Sequence, residues 1–231
     1  MDFSISAEGI TDQVTLQNVL CGYFNRVDNL EQEIAFVQPH IDATDEDASN
    51  RFGSWTNLFS YLRDKRFRED VINTEFLIIQ VDTDVCEEGG FNVSKMDSNN
   101  KELDVIELVE KVVNRLIAQI AQGDAYFYNN YKEKIIFAIS VHSIECWIYK
   151  YYETMERKSG KNIIKNCEQK LKQIVKKNNK KLSTNKTSVD YESLTKPFRK
   201  KKFIDEVIKK DASFEIFINQ LDNIKYPISH E

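Results

Sequence analysis

The chain has 231 residues, 41% of them apolar and 30% charged, and carries a net charge of −5. That balance suits a soluble globular protein of one large domain, or one and a half, with room for a real core. Its longest apolar run, Ile135-Ile136-Phe137-Ala138-Ile139, falls far short of the ~18 residues that cross a bilayer, which excludes a membrane-spanning helix. The start reads as a strand bearing an acid, so no signal peptide is expected. Cys21, Cys86, Cys146 and Cys167 are widely spaced with no Cys-x-x-Cys pair. This argues against both a zinc site and a disulfide framework and fits a reducing, cytoplasmic setting. His40, His142 and His230 are too scattered for a histidine metal cluster.

Met1 to Gly9 alternates apolar and polar residues, as a half-buried strand does, and ends in Glu8-Gly9. Thr11 and Asp12 are helix N-cap types, and Val14, Leu16, Val19, Leu20 and Phe24 follow at helical spacing. Glu33 to Pro39 reads as a second strand stopped by its proline. Asp42 to Asn50 is an acidic loop, and Ser54 to Leu62, with Trp55, Leu58, Phe59 and Leu62 in register, an amphipathic helix. Trp55 is expected in the core.

The run Phe76-Leu77-Ile78-Ile79-Gln80-Val81 then leads into Asp82-Thr83-Asp84. A short apolar run of this kind marks a central strand of an α/β sheet, whose C-terminal end is where such sheets bind ligands. Side chains alternate along a strand, so Asp82 and Asp84 are expected on one side. Two such carboxylates repel unless a cation lies between them, and hard oxygen ligands suit Mg²⁺. Cys86 to Gly90 is an acidic loop whose Glu87 or Glu88 is a candidate further ligand, or simply solvated.

Val105, Val109, Val112, Leu116 and Ile120 trace one helical stripe across Leu103 to Ile120. An aromatic connection (Tyr126, Phe127, Tyr128, Tyr131) precedes a fourth strand over Lys134 to Val141. The alternation predicts an α/β, doubly wound, mostly parallel sheet of about four strands. A helix follows from His142-Ser143-Ile144-Glu145, placing Glu145, Tyr149 and Tyr152 on one face; His142 reads best as a capping or core residue.

The last third is helical and basic. From Glu156 to Lys202 there are 16 Lys or Arg against 4 acids, a surplus of +12 that leaves −17 on the rest. Ile163, Ile164, Cys167, Leu171, Ile174 and Val175 form one apolar face, and Asn178 to Ser188 reads as a polar, mobile segment. Two more helices are expected around Phe203 to Ile208 and Phe214 to Leu221. An acidic body with a basic arm suits a nucleic-acid partner, with Lys200, Lys201 and Lys202 as candidate contacts. No Gly-rich phosphate loop is present, so the chain is not expected to be an ATPase.

Ala7-Glu8-Gly9-Ile10-Thr11-Asp12 and Val81-Asp82-Thr83-Asp84, in this order, resemble the two acidic motifs of the TOPRIM domain. That domain is shared by topoisomerases, bacterial primases and OLD-type nucleases. Ser143-Ile144-Glu145 with Trp147 resembles the Ser-x-Glu-aromatic signature of small stand-alone TOPRIM-like proteins in bacterial phage defence, which accompany ABC-type ATPases. The resemblance covers residues 1–153 as a catalytic domain and leaves 154–231 as a basic helical extension. It implies a Mg²⁺-dependent (or Mn²⁺-dependent) nuclease acting on DNA or RNA, controlled by an ABC-type ATPase partner, with homodimer formation left open. By that resemblance Asp82 and Asp84 hold the metal, Glu8 is a ligand or general acid/base, and Glu145 joins the catalytic set. Some members carry a third acid two residues after the pair, where this chain has Cys86. Two other readings stand beside this one: a non-catalytic metal-binding subunit of an ATPase complex, and a nucleotide phosphohydrolase.

Overall fold

Short apolar runs become the strands of one sheet: β1 (Phe3–Ser6), β2 (Ile34–Gln38), β3 (Phe76–Asp82) and β4 (Ile135–Ser140). All pair in parallel in the order β2-β1-β3-β4, with Ser6 opposite Ile79 and Asp82 opposite Ser140. The computed structural model describes residues 1–39, 54–153, 165–178 and 181–224. The acidic loop read at Asp42 to Asn50, His40, His230 and the apolar pair Ile163 and Ile164 lie outside them.

Helices cover both faces, so the fold is α/β and doubly wound, as expected. Alternation along the strands divides the core. Leu77, Ile79, Val81, Ile135, Phe137 and Ile139 face a layer built from α2 (Trp55–Arg63), α3 (Lys65–Asn73), α4 (Val105–Gly123) and α5 (Phe127–Tyr131). Phe3, Ile5, Ile78, Ile136 and Ala138 face the other layer, of α1 (Ile10–Tyr23) and α6 (Ile144–Glu153) with α7 (Cys167–Asn178), α8 (Ser188–Thr195), α9 (Lys201–Ile208) and α10 (Ala212–Asp222). The change of composition near residue 153 is therefore not a break in the core, which runs from β1 and α1 into Tyr191, Phe198, Phe214 and Phe217. Trp55 is half-buried against Phe59 and Phe91, and its indole N–H donates to Glu88. Among the described residues no helix is long and apolar enough to cross a membrane.

Two sequence expectations are corrected. Cys146 and Cys167 form a disulfide, because α6 and α7 pack together and bring their Cα atoms within 4.9 Å across 21 residues of sequence. The compartment inference that rested on unpaired thiols loses that support. In addition, residues 181–187 are not merely a solvated polar linker: Leu182 packs on the core, Ser183 donates to Asp190, and Lys186 forms two ion pairs.

At the free edge of β4 one side chain caps Phe137. Gln220 of α10 accepts from the Phe137 N–H at 3.0 Å and donates to the Phe137 carbonyl at 2.8 Å, satisfying both groups of an edge residue.

α1 packs so tightly on the turn at Lys196–Arg199 that a Cβ on Gly22 would stand 1.8 Å from the Phe198 carbonyl oxygen. Gly22→Ala should therefore destabilise the fold by about 2 kcal/mol or more in urea unfolding. Gly89→Ala, with nothing within 4 Å of its Cβ, should leave the midpoint unchanged.

Candidate functional site

Parallel strands and the helices that follow them bring acids to one sheet edge. Ser6 ends β1, and Glu8 follows where α1 starts; β3 delivers Asp82 as its last residue; β4 ends at Ser140 and α6 begins at Ile144 with Glu145 next. The link between the first two is direct: the Asp82 N–H donates to Glu8 Oε1 at 2.8 Å. Gln80, the polar residue inside the apolar β3 run, is the hub below them. Its oxygen accepts from the Glu8 N–H at 3.4 Å, and its amide donates to Asp82 Oδ1 at 2.8 Å. Asp82 Oδ1 also accepts from the Ser140 hydroxyl and, at 3.1 Å, from the Ile144 N–H that opens α6. Asp84 lies past the strand in a turn clamped to the end of β4, where its N–H donates to the His142 carbonyl at 2.9 Å. His142 is held there at φ +67°, donating its N–H to the Thr83 hydroxyl at 2.8 Å.

The structure adds three residues to those expected. Asp12 was read as a cap type, and it caps α1 from the third helical position, accepting from the N–H of the N-cap residue Gly9 at Oδ2, 2.9 Å away; it is also buried among the acids. The signal for it is in the sequence: Glu8 and Asp12 are four apart, one helical turn, at the start of a helix. Tyr191 and Lys186 come from the basic third, and no local pattern points to them. The Tyr191 hydroxyl donates to Glu145 Oε1 at 2.6 Å, and Lys186 Nζ is 3.5 Å from the same oxygen and 3.4 Å from Glu168 Oε2.

Burial dominates the electrostatics. It raises the Glu8 carboxyl to about 7, against the amide of Asp82, with help from Asp84 and Glu88. Asp12 is pushed well above the usual carboxylate range by burial and then by Glu145 and Glu8, and Asp82 by burial and then by Asp12, Glu8 and Glu145. Asp84, closer to solvent, is raised by burial and relieved in part by the Val85 amide and Lys95. Glu145 is the exception. Burial opposes its charge, yet Lys186, Ser143 and Tyr191 outweigh that and hold it below the ordinary value. The edge therefore holds one stabilised carboxylate among several that resist ionisation.

Glu8, Asp82, Asp84 and Glu145 are thus gathered at one edge. Glu87 and Glu88 turn to local partners, the Lys95 N–H at 3.1 Å and the Trp55 indole at 2.9 Å. Lys200, Lys201 and Lys202 stand elsewhere. Lys201 lies over the ring of Tyr23, at the far end of α1, and pairs with Asp205 at 2.8 Å. The 14 residues of α1 put that end about 20 Å from the acids.

Among the described residues no three His, Cys, Asp or Glu side chains stand in metal-binding geometry, and Glu8, Asp12, Asp82 and Glu145 each accept from a protein donor. The donor chemistry nonetheless fits a hard divalent cation: the groups are carboxylates, and their mutual repulsion is what a cation relieves. No protein-family model, curated protein or solved structure matches the chain.

Two outcomes follow from the raised carboxyls. A group whose folded pKa lies above its ordinary value stabilises fully below that value and less as pH rises through the folded one. For Glu8 that window runs from 4.5 to about 7. In EDTA the unfolding free energy should therefore fall by about 1–3 kcal/mol between pH 4.5 and 7.5, and Glu8→Gln should flatten the fall. Asp82→Asn keeps an oxygen for Gln80, Ser140 and Ile144 but removes a charge. It should raise metal-free stability by ~1 kcal/mol, read as a higher Tm in EDTA at pH 7.5.

Proposed function

We propose that this chain is a Mg²⁺-dependent phosphodiester hydrolase, a nuclease of TOPRIM type acting on DNA or RNA. The observation that carries the reading is the gathering of Glu8, Asp12, Asp82, Asp84 and Glu145 at the C-terminal edge of a parallel sheet, with Lys186 beside them. Glu8, Asp82 and Asp84 would hold Mg²⁺ or Mn²⁺. The metal supplies charge neutralisation at phosphate and a water of lowered pKa. The chain's own residues do the rest. Glu8, held partly protonated near neutral pH, can give or take a proton, and Lys186 offers a positive charge to a phosphate oxygen. Tyr191 and Ser143 fix Glu145 in its ionised form. The Ser143-Ile144-Glu145 resemblance supports an ABC-type ATPase as regulator and a role in phage defence.

One observation favours a second reading, a metal-binding subunit without chemistry: Asp82 already accepts from three donors. Incubation of DNA and RNA with the purified protein and Mg²⁺ or Mn²⁺ separates the two. Hydrolysis supports the nuclease; a Mg²⁺-induced rise in Tm without hydrolysis supports the binding subunit.

Asp84→Ala should lower metal-dependent hydrolysis by about 100-fold or more, with circular dichroism unchanged and the Mg²⁺-induced rise in Tm reduced. Replacing Lys200, Lys201 and Lys202 with Ala tests whether nucleic acid reaches the far end of α1. Affinity should fall and the salt dependence of log K should flatten by up to about 0.9 per lost duplex phosphate contact, with kcat preserved.

A further inference from the structure

The junction of α6 and α7 carries two links side by side. Cys146, next to Glu145, is bonded to Cys167, next to Glu168. Lys186 then spans the same two helices, 3.5 Å from Glu145 Oε1 and 3.4 Å from Glu168 Oε2. One link is covalent and buried; the other is ionic, with Lys186 and Glu168 both more than half exposed. Glu168 stands in the first turn of α7, beside the bond that ties that turn to the first turn of α6, while Leu171, Ile174 and Val175 hold the rest of α7 in the core. Lys186 immediately precedes Thr187, which caps α8 by accepting from the Asp190 N–H, and α8 carries Tyr191 to Glu145. The covalent link, the ionic link and the α8 cap thus converge on one carboxylate.

We propose that Cys146–Cys167 is a redox-sensitive site that sets the hold of Lys186 on Glu145, its co-reactant being a dithiol. In the oxidised protein Glu168 and Glu145 clasp Lys186 from two sides. A dithiol attacks one sulfur as its thiolate, forms a mixed disulfide and closes into its own disulfide. It thereby gives up two electrons and leaves two protonated thiols on the protein. Cys167 is the first residue of α7, and helix ends are where local opening is easiest, so attack requires only that first turn to separate. Once reduced, the first turn of α7 loses its covalent tie while Leu171, Ile174 and Val175 keep the rest of the helix docked, so Glu168 is free to leave and Lys186 keeps one partner instead of two. The consequence for catalysis rests on the nuclease reading above; the structural coupling does not.

The first measurement is alkylation in denaturant. Two cysteines, Cys21 and Cys86, should react without reductant and four after it; four in both conditions would overturn the proposal. Hydrogen exchange on the folded full chain comes next. Reduction should speed exchange at least tenfold in residues 181–187 as well as in the first turn of α7. A change confined to α7, or none, would reduce the bond to a local staple and refute the coupling. The double variant Cys146→Ser, Cys167→Ser should match the reduced wild type; if it does not fold, the wild type with and without dithiothreitol still decides. In Mg²⁺-dependent hydrolysis, reduction should slow the wild type about tenfold and leave Lys186→Ala no slower than it already is; an equal drop in that variant would refute the role of Lys186. Should no hydrolysis be detected in either redox state, the nuclease reading falls and the exchange result alone decides this proposal.

Discussion

Like charges crowded into a low-dielectric edge are the constraint from which the rest of this structure follows. Glu8, Asp12 and Asp82 are each disfavoured as anions where they sit, and the fold offsets this with oriented donors. A parallel sheet supplies those donors naturally. Every strand-to-helix passage puts a helix N-terminus, with free N–H groups and a positive end, at the same edge as the strand ends. Gly9 at the start of α1 and Ile144 at the start of α6 spend their N–H groups on Asp12 and Asp82. Gln80 would be an anomaly in a buried strand, but its amide is fully used between Glu8, Asp82 and Ser140.

The basic third answers the acidic body. Arg199 makes a two-pronged pair with Glu31, at 2.6 and 2.7 Å, and also meets Glu192. Lys165 pairs with Glu102, and Lys186 with Glu145 and Glu168. Part of the lopsided charge along the sequence is thus settled within the molecule. The same segment brings in Tyr191 and Lys186, so the acidic edge is completed only when the C-terminal helices are docked.

The strands were legible because each is a run of apolar residues with a polar end, and the same runs located Glu8 and Asp82. α4 was legible from its stripe. α3 was not: Phe67 and Val71 are its only buried apolar positions among Lys, Arg, Glu and Asp, too few to show a period. α8 buries Tyr191 and Leu194 through contacts with α1, which no local window contains. The disulfide escaped for a related reason. A pairing 21 residues apart depends on how two helices cross, whereas the spacing rules for cysteines describe short motifs. Asp12 was visible as a capping acid, and it does cap α1 through the Gly9 N–H; what its sequence position could not show is its burial beside Glu8 and Glu145.

Gln220 has a bearing on how copies of this chain can meet. A side-chain amide carries the same donor and acceptor as a peptide unit, so at Phe137 it occupies the place an incoming strand would take. Sheet extension across β4 would first have to lever α10 away from the body, and with it Phe217, which stacks on Trp147, and Phe214, which meets the same ring edge-on. Strand-to-strand growth, the common route to fibrils, is opposed on that flank at Phe137. Among the described residues the other sheet edge is β2, where the Arg66 guanidinium already occupies the Val37 carbonyl.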